Sequence, residues 1–414
     1  MKTALRIRSI VHGGEGLAHH EGRVVFVRGA APGDLVEAEI SGEGRFEHAR
    51  ALRIVESGSA RVAAPCSIVD RCAGCPLQHV AHAEQLGAKQ ALAADALERI
   101  GGLAPGSYEM RAIVPSPRAF RYRRRALLHR GPKGIWGFAG DAQEGVVAVE
   151  ECLLFEEPLQ RLFEQVREIE LPGADDLGLD TSDAGKGAID VRTARATPAL
   201  RKRLRAAVEA GIVSGAVLGQ ETYGEPVLVD SADPSGARLR SRPDLFAQAN
   251  RSMLPALGAA ALDALGDAGS GRVLELFCGT GTLTLPLLAR ASAVTGAESS
   301  APALSLLRRS ADEVAAFAGK LRLVAGDAAQ VAREAQGFDA VLIDPPRTGA
   351  AEAVRALASS RVPIIGYVSC DAPTLARDAK LLAAAGYRLS WAQPLDLFPQ
   401  TAHFEVVARF ERQV

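Results

Sequence analysis

Apolar and polar positions divide the chain into three regimes. Over residues 1–57 the apolar runs are short, as in Val24-Val-Phe-Val27 and Leu35-Val-Glu-Ala-Glu-Ile40. Glycines at 13, 14, 29, 33, 42 and 44 break them up. Short strands separated by glycine turns predict a small β-barrel of the OB type. Residues 79–101 carry a helical period that ends at Gly101-Gly102, and this helix is expected to pack on the C-terminal domain. Between 110 and 240, strand patterns at 146–149, 187–191 and 226–230 mix with helical patterns at 156–170 and 198–210. An α+β middle domain follows from that mixture.

Beyond about residue 250 the pattern alternates strand and helix. Strands are predicted at 272–277, 293–298, 321–325, 338–343, 362–369, 387–393 and 403–410. The first five are apolar runs, as in a parallel sheet covered on both faces. The last two are joined by a short Pro-containing loop and form an antiparallel pair. The fold class is therefore α/β: a doubly wound sheet of the methyltransferase type, preceded by an α+β domain and a barrel. The expected domain limits are 1–57, 58–240 and 241–414.

Composition adds bounds. The 414 residues are 48% hydrophobic, with no apolar stretch long enough to cross a membrane and no secretory leader pattern. A cytoplasmic protein is expected. The net charge is −1, which announces no polyanion partner by itself. The basic residues are mostly arginine, which suits phosphate and base contacts. Phe120-Arg-Tyr-Arg-Arg-Arg125 interleaves rings with guanidinium groups and is read as an RNA contact. Arg201-Lys-Arg-Leu-Arg205 is read as a solvated helical face.

The candidate chemistry lies at strand ends. Val273-Leu-Glu-Leu-Phe-Cys-Gly279-Thr-Gly281-Thr282 runs a strand into a glycine turn, where backbone N–H groups approach a ligand. Position 284 is Thr, so the third glycine of a dinucleotide fingerprint is missing. Glu298 ends the next strand, where it can meet ribose hydroxyls. Together these favour S-adenosylmethionine over a nicotinamide dinucleotide. Asp327 ends the third strand near an adenine amine. Asp344-Pro345-Pro346-Arg347 ends the fourth. An aromatic after Pro-Pro would stack a base for amine methylation, and a cysteine within the turn would mark cytosine-C5 chemistry. Arg347 supplies neither.

Cys370 ends the fifth strand, with Asp371 and Pro373 opening a helix whose N-terminal dipole favours a thiolate. C5 of uracil is a poor nucleophile. A thiolate adding at C6 activates C5, and a base must then remove the C5 proton. Glu405 starts the last, antiparallel strand and so lies at the same sheet edge as Cys370. His403 is two residues away and at most supports it. Cys66, Cys72, Cys75 and Cys152 suit zinc or an iron–sulfur cluster, and the Cys-x5-Cys spacing leans to [4Fe–4S].

These motifs together resemble the S-adenosylmethionine-dependent RNA uridine-C5 methyltransferases, in their branch with an iron–sulfur centre and an N-terminal TRAM domain. The resemblance covers essentially the whole chain. It implies a [4Fe–4S] cluster on the four cysteines. It implies cofactor contacts at Gln248 (within Phe246-Ala-Gln-Ala-Asn250), Phe277, Thr282, Glu298 and Asp344, with Gly279 and Gly281 in the loop. Cys370 is implied as the nucleophile and Glu405 as the base. Thr282 and Asp371 each stand where the family commonly has Asn. A monomer acting on structured RNA, ribosomal rather than transfer RNA, is expected, with no protein partner. The rival readings are an RNA-binding iron–sulfur protein with a vestigial methyltransferase fold, a small-molecule methyltransferase and a tRNA uridine-C5 methyltransferase.

Overall fold

The computed structural model describes residues 2–41, 46–140 and 144–413. The N-terminal region is a six-stranded sheet, Lys2–Arg6 through Phe46–Glu56. Alternation drives it: in Arg23–Arg28 only Val25 and Val27 are fully buried. They join Leu5, Ile7, Ala18, Val36 and Ala38 in a separate small core. Gly42 and Gly44 lie outside the described residues.

The middle region is a seven-stranded sheet spanning Arg125–Arg130 to Glu221–Gly224, largely antiparallel. Helices Glu157–Val166 and Pro198–Glu209 bury Leu162, Phe163 and Leu204 against it. Here the structure corrects the reading of the basic run at 120–125. Tyr122 and Arg124 are among the largest fully buried side chains. Arg124 donates to Asp180 (3.0 Å) and Asp230 (2.5 Å), and Arg125 clamps the carbonyls of Pro243 and Leu245. A planar donor fork suits carbonyls and carboxylates as well as phosphates, and here it is spent on internal partners. The 201–205 run is a solvated face, with Arg201 paired to Glu221 and Arg203 to Glu170.

The C-terminal sheet has eight strands. Its first five are β1 (Arg272–Leu276), β2 (Ala293–Glu298), β3 (Leu321–Ala325), β4 (Ala340–Ile343) and β5 (Ile364–Ser369), all parallel, in the order β3-β2-β1-β4-β5. Then β7 (Glu405–Arg412) pairs antiparallel with β5, and β6 (Tyr387–Leu395) pairs with β7. Each of these strands lies within about three residues of its predicted limits. Two-residue strand Glu109–Met110 adds an eighth member beside β6, which no sequence pattern announced.

Helix α1 (His82–Arg99) packs on this domain. Ala93, Ala96 and Leu97 pack in one core with Leu375, Ala376 and Ala379 of helix α2 (Ala372–Ala384). No helix among the described residues is long and apolar enough to cross a membrane.

Candidate active site

The strands deliver the candidate residues to one edge of the sheet. In the register, Leu276 of β1 faces Ala297 of β2 and Ile343 of β4. One step further, Phe277, Glu298 and Asp344 stand side by side at the carboxyl ends. Phe277 has φ +64°, a left-handed conformation that a bulky residue adopts only under constraint. Gly281 has φ +100°, and a Cβ there would sit 2.4 Å from Leu307 Cδ1. Gly279, at φ +52°, donates its N–H to Glu298 Oε2 (3.2 Å). Glu298 also accepts from Ser300 N (2.8 Å), so its carboxylate is held by the glycine turn and by the backbone two residues on. Thr282 is half-buried two residues before the helix that starts at Thr284.

Asp327 caps the helix Ala328–Ala332, its carboxylate accepting from Ala329 N and Gln330 N. Gln248 is buried in the segment that leads into the catalytic domain. Phe246, two residues earlier, is 74% exposed.

Two residues of this edge escaped the sequence reading. Glu275, inside β1, is fully buried, its Oε2 has no hydrogen-bond partner, and burial pushes its pKa up to about 8. An acid in the middle of an otherwise apolar strand was the available signal. An orphaned buried carboxylate oxygen and a glycine-lined turn fit a cationic, nucleotide-like ligand such as S-adenosylmethionine. Arg347 is the other as a cation, since the sequence reading used it only for the chemistries it excludes. It is the cation that acts on Cys370, His403 and Glu405 alike.

Cys370 and Glu405 are brought together by strand register. Ser369 of β5 faces Val406 of β7, so the next opposed pair is Cys370 and Glu405. Directly opposed residues share a sheet face with Cβ atoms about 5 Å apart. Glu405 is 2% exposed and its Oε2 lacks a partner. Desolvation and the Asp344 carboxylate raise its pKa well above the ordinary range, against a downward pull from Arg347. Asp344 is itself pushed up to about 7 by burial.

The expected low-pKa thiolate is corrected here. Asp371 does cap α2, accepting from Thr374 N at 2.9 Å, with Pro373 in the first turn. Yet burial pushes the Cys370 thiol up to about 11, with Glu405 and Asp344 adding to the shift and Arg347 opposing it. Two nearby carboxylates and a desolvated sulfur outweigh one helix terminus, whose effect is a fraction of a charge. His403 precedes β7 with its ring edge-on to Phe398. Desolvation and the cations Arg347, His12, Arg123 and Lys89 hold it neutral, its pKa pulled down to about 4.

Cys66, Cys72, Cys75 and Cys152 line one small cavity with Ile68, Phe138 and Leu154. All four are free thiols, and their charges couple: Cys75 is pushed up to about 12 by burial, with Cys152 and Cys72 contributing. Arg123 faces Cys75 and Cys152, and its buried Nε has no partner. Among the described residues, no group of three or more His, Cys, Asp or Glu is arranged to hold a single metal ion. A convergent thiol set beside an orphaned guanidinium N–H fits an anionic, thiolate-ligated cluster.

A second cleft opens between the barrel and this cysteine segment. Arg28, Arg50, Arg53 and Arg61 line it, together with Gly13 and Gly14. Arg28 and Arg50 oppose each other on neighbouring strands, next to the pair Phe26 and His48. The Phe26 ring lies 5.8 Å from Phe46 and 5.5 Å from His48. A Cβ on Gly14 would touch Pro76 and Ala402, so the barrel abuts both the cysteine loop and the approach to Glu405.

The chain resembles known proteins over nearly its whole length. Residues 233–413 match the family described as tRNA (Uracil-5-)-methyltransferase, and residues 6–42 match the TRAM domain. The 23S rRNA (uracil(1939)-C(5))-methyltransferase RlmD of Pseudomonas aeruginosa is 36% identical, covering 99% of this chain and 94% of its own length. That of Pseudomonas putida is 35% identical with the same coverage. Among solved structures, the tRNA (uracil-54, C5)-methyltransferase of Pyrococcus abyssi in complex with S-adenosyl-L-homocysteine superposes with a TM-score of 0.75. It is 23% identical, covering 98% of this chain and 99% of that one, a likeness of fold.

Proposed function

The chain belongs to the family of RNA uracil-C5 methyltransferases, and from that premise we propose that it methylates C5 of a uridine in 23S rRNA through a covalent enzyme–RNA adduct. The observation that carries the mechanism is the opposition of Cys370 and Glu405 across β5 and β7. S-adenosylmethionine, when bound, supplies an electrophilic methyl group on a sulfonium. Phe277, Gly279, Gly281, Thr282, Glu298, Asp344, Asp327 and Gln248 are the residues assigned to hold it.

The target uridine leaves its stack to reach a site below the protein surface. Cys370 Sγ, as thiolate, adds to C6 of uracil. The new S–C6 bond uses an electron pair that pushes the C5–C6 π bond toward C5 and O4. With the cofactor bound, C5 would take its methyl, the electron pair of the broken S–CH3 bond staying on sulfur to leave a neutral thioether. Glu405 then removes the C5 proton, and the electrons of that C–H bond re-form C5=C6 while the S–C6 bond breaks. Arg347 offsets the carboxylates that oppose thiolate formation. Glu405 must be ionised to accept that proton; burial and Asp344 oppose the ionised form, and Arg347 favours it.

The four cysteines are assigned a [4Fe–4S] cluster, with Arg123 balancing its negative charge. The arginine-lined cleft and the neighbouring Phe26–Phe46–His48 cluster are assigned to RNA, in place of the 120–125 run. Residues 1–57, 58–240 and 241–414 are taken as the barrel, central and catalytic units of a cytoplasmic monomer. Ribosomal RNA is preferred over tRNA because the relatives matched end to end at about one-third identity are named for 23S rRNA. RNA carrying tritium at uridine C5 tests the reading. Wild-type protein with S-adenosylmethionine releases tritium and Cys370→Ala does not; undiminished release by the variant ends the proposal.

A further inference from the structure

The loop that leads into Glu405 is fastened largely from outside its own domain. Five consecutive residues, 396–400, each carry a tether. The Asp396 carboxylate accepts from Lys89 Nζ (2.5 Å) and lies 2.9 Å from His82 Nε2. The Leu397 carbonyl accepts from Asn250 Nδ2 (3.0 Å), Phe398 from Lys89 Nζ (3.0 Å), Pro399 from the Tyr122 hydroxyl (3.0 Å) and Gln400 from Leu77 N (3.1 Å). Gln85 completes the set. Its Nε2 donates to the carbonyls of Leu77 and Val80 and to Gln400 Oε1, while its Oε1 accepts from Gln400 N.

Gln85 and Lys89 lie one turn apart on α1, each 1% exposed. The same buried stripe continues through Ala93 and Leu97 into the catalytic core. A polar half-stripe is an expensive way to bury a helix, since apolar residues of similar volume would serve stability as well. What the polar groups add is direction: each bond fixes one atom of the loop. Gln400 needs that fixing, because it sits at φ +69°, in the left-handed region.

Resting on the proposed role of Glu405, we propose that Gln85 and Lys89 of α1 are positioning residues for the reaction. They hold loop 396–400 so that β7 begins with Glu405 opposite Cys370. They touch neither RNA nor cofactor. Their loss misplaces the base while the nucleophile, just past the end of β5, stays where it is. The defect therefore falls on proton removal and leaves addition of the thiolate intact.

The test uses the full-length protein, 23S rRNA from cells lacking the gene, and S-adenosylmethionine. Variants are Lys89→Met, Gln85→Leu and the milder His82→Leu at a partly exposed position. Glu405→Gln is the reference for a lost base. For Lys89→Met and Gln85→Leu, kcat falls about 10- to 100-fold, as for a displacement of about 1 Å. KM for RNA stays within about two-fold, and enzyme covalently attached to RNA on a denaturing gel rises several-fold. His82→Leu shows the same partition more weakly and keeps the wild-type melting temperature. A merely structural role predicts that adduct and product fall together. That result, or an unchanged partition in variants that fold, overturns the proposal while Glu405→Gln still traps adduct. Should Glu405→Gln trap none, the base assignment fails and this inference fails with it.

Discussion

Replacing the base should make the nucleophile more reactive toward an outside reagent. Cys370 and Glu405 form the next opposed pair after Ser369 and Val406. A thiolate and a carboxylate about 5 Å apart, at an effective dielectric of about 20, repel by about 3 kcal/mol. That corresponds to about 2 pKa units at about 1.4 kcal/mol per unit. Cys370 is half-exposed, so solvent screening reduces this to about 1 unit. Glu405→Gln keeps the volume and removes the charge. The thiol should then drop from about 11 toward about 10, leaving burial and Asp344 to hold it up. Near pH 9, with both values above the working pH, the thiolate fraction rises about ten-fold.

The assay is iodoacetamide alkylation with and without the substitution, read by mass spectrometry of the peptide bearing Cys370. Cys278, 4% exposed, serves as the unreactive internal control. The variant should alkylate faster at Cys370 while methyl transfer falls about 10²- to 10⁴-fold, the usual worth of a general base. Arg347→Met should move alkylation the other way, since it removes the cation that favours the thiolate. Equal or slower alkylation of Glu405→Gln would refute the reasoning, because the carboxylate would then not act on the sulfur.

Other consequences are measurable. Glu275 has a folded pKa of about 8, above its unfolded value near 4.5, so its contribution to stability is full at acid pH and is lost as pH rises through 8. Glu275→Gln should therefore melt like wild type near pH 4.5 and higher at pH 9, by up to a few kcal/mol; calorimetry across that range checks it. Gly281→Ala adds a Cβ against Leu307 at a positive φ and should cost about 1–3 kcal/mol together with most S-adenosylmethionine affinity by titration calorimetry. Arg50→Glu and Phe46→Ala should both weaken RNA binding, with only the first flattening the salt dependence in filter-binding assays. Cys75→Ser should lower bound iron and sulfide and bleach the brown colour of anaerobically purified protein, and an iron-free wild type would remove the cluster assignment.

The strand ends of the catalytic sheet were legible because parallel strands are apolar runs closed by polar turns. Gly279, Glu298, Asp344 and Cys370 each sit at such a boundary. Charge was far less legible. A run such as Phe120–Arg125 reads the same whether its guanidinium groups face phosphates or internal carboxylates. Its partners Asp180 and Asp230 lie more than 50 residues away in sequence. Gln85 and Lys89 were hidden for the same reason, since they occupy core positions of a helix whose partners, Asp396 and Gln400, are over 300 residues downstream. The tilt of the Cys370 thiol was misread because a helix N-terminus is visible in sequence, whereas two carboxylates converging from other strands are not.

That last difference bears on why the site is built as it is. Glu275, Asp344, Glu405 and Cys370 all have their charged forms disfavoured by burial. A site that desolvates several acids and supplies Arg347 as the shared cation is poorly matched to its own ionised side chains. It is well matched to a cationic ligand, whose charge would favour all four anions at once. Burial and the two carboxylates favour the protonated sulfur of Cys370, and a positive charge entering the site acts in the opposite direction. The physical requirement is only that the ligand's charge reach the desolvated edge where β1, β4 and β5 end and β7 begins.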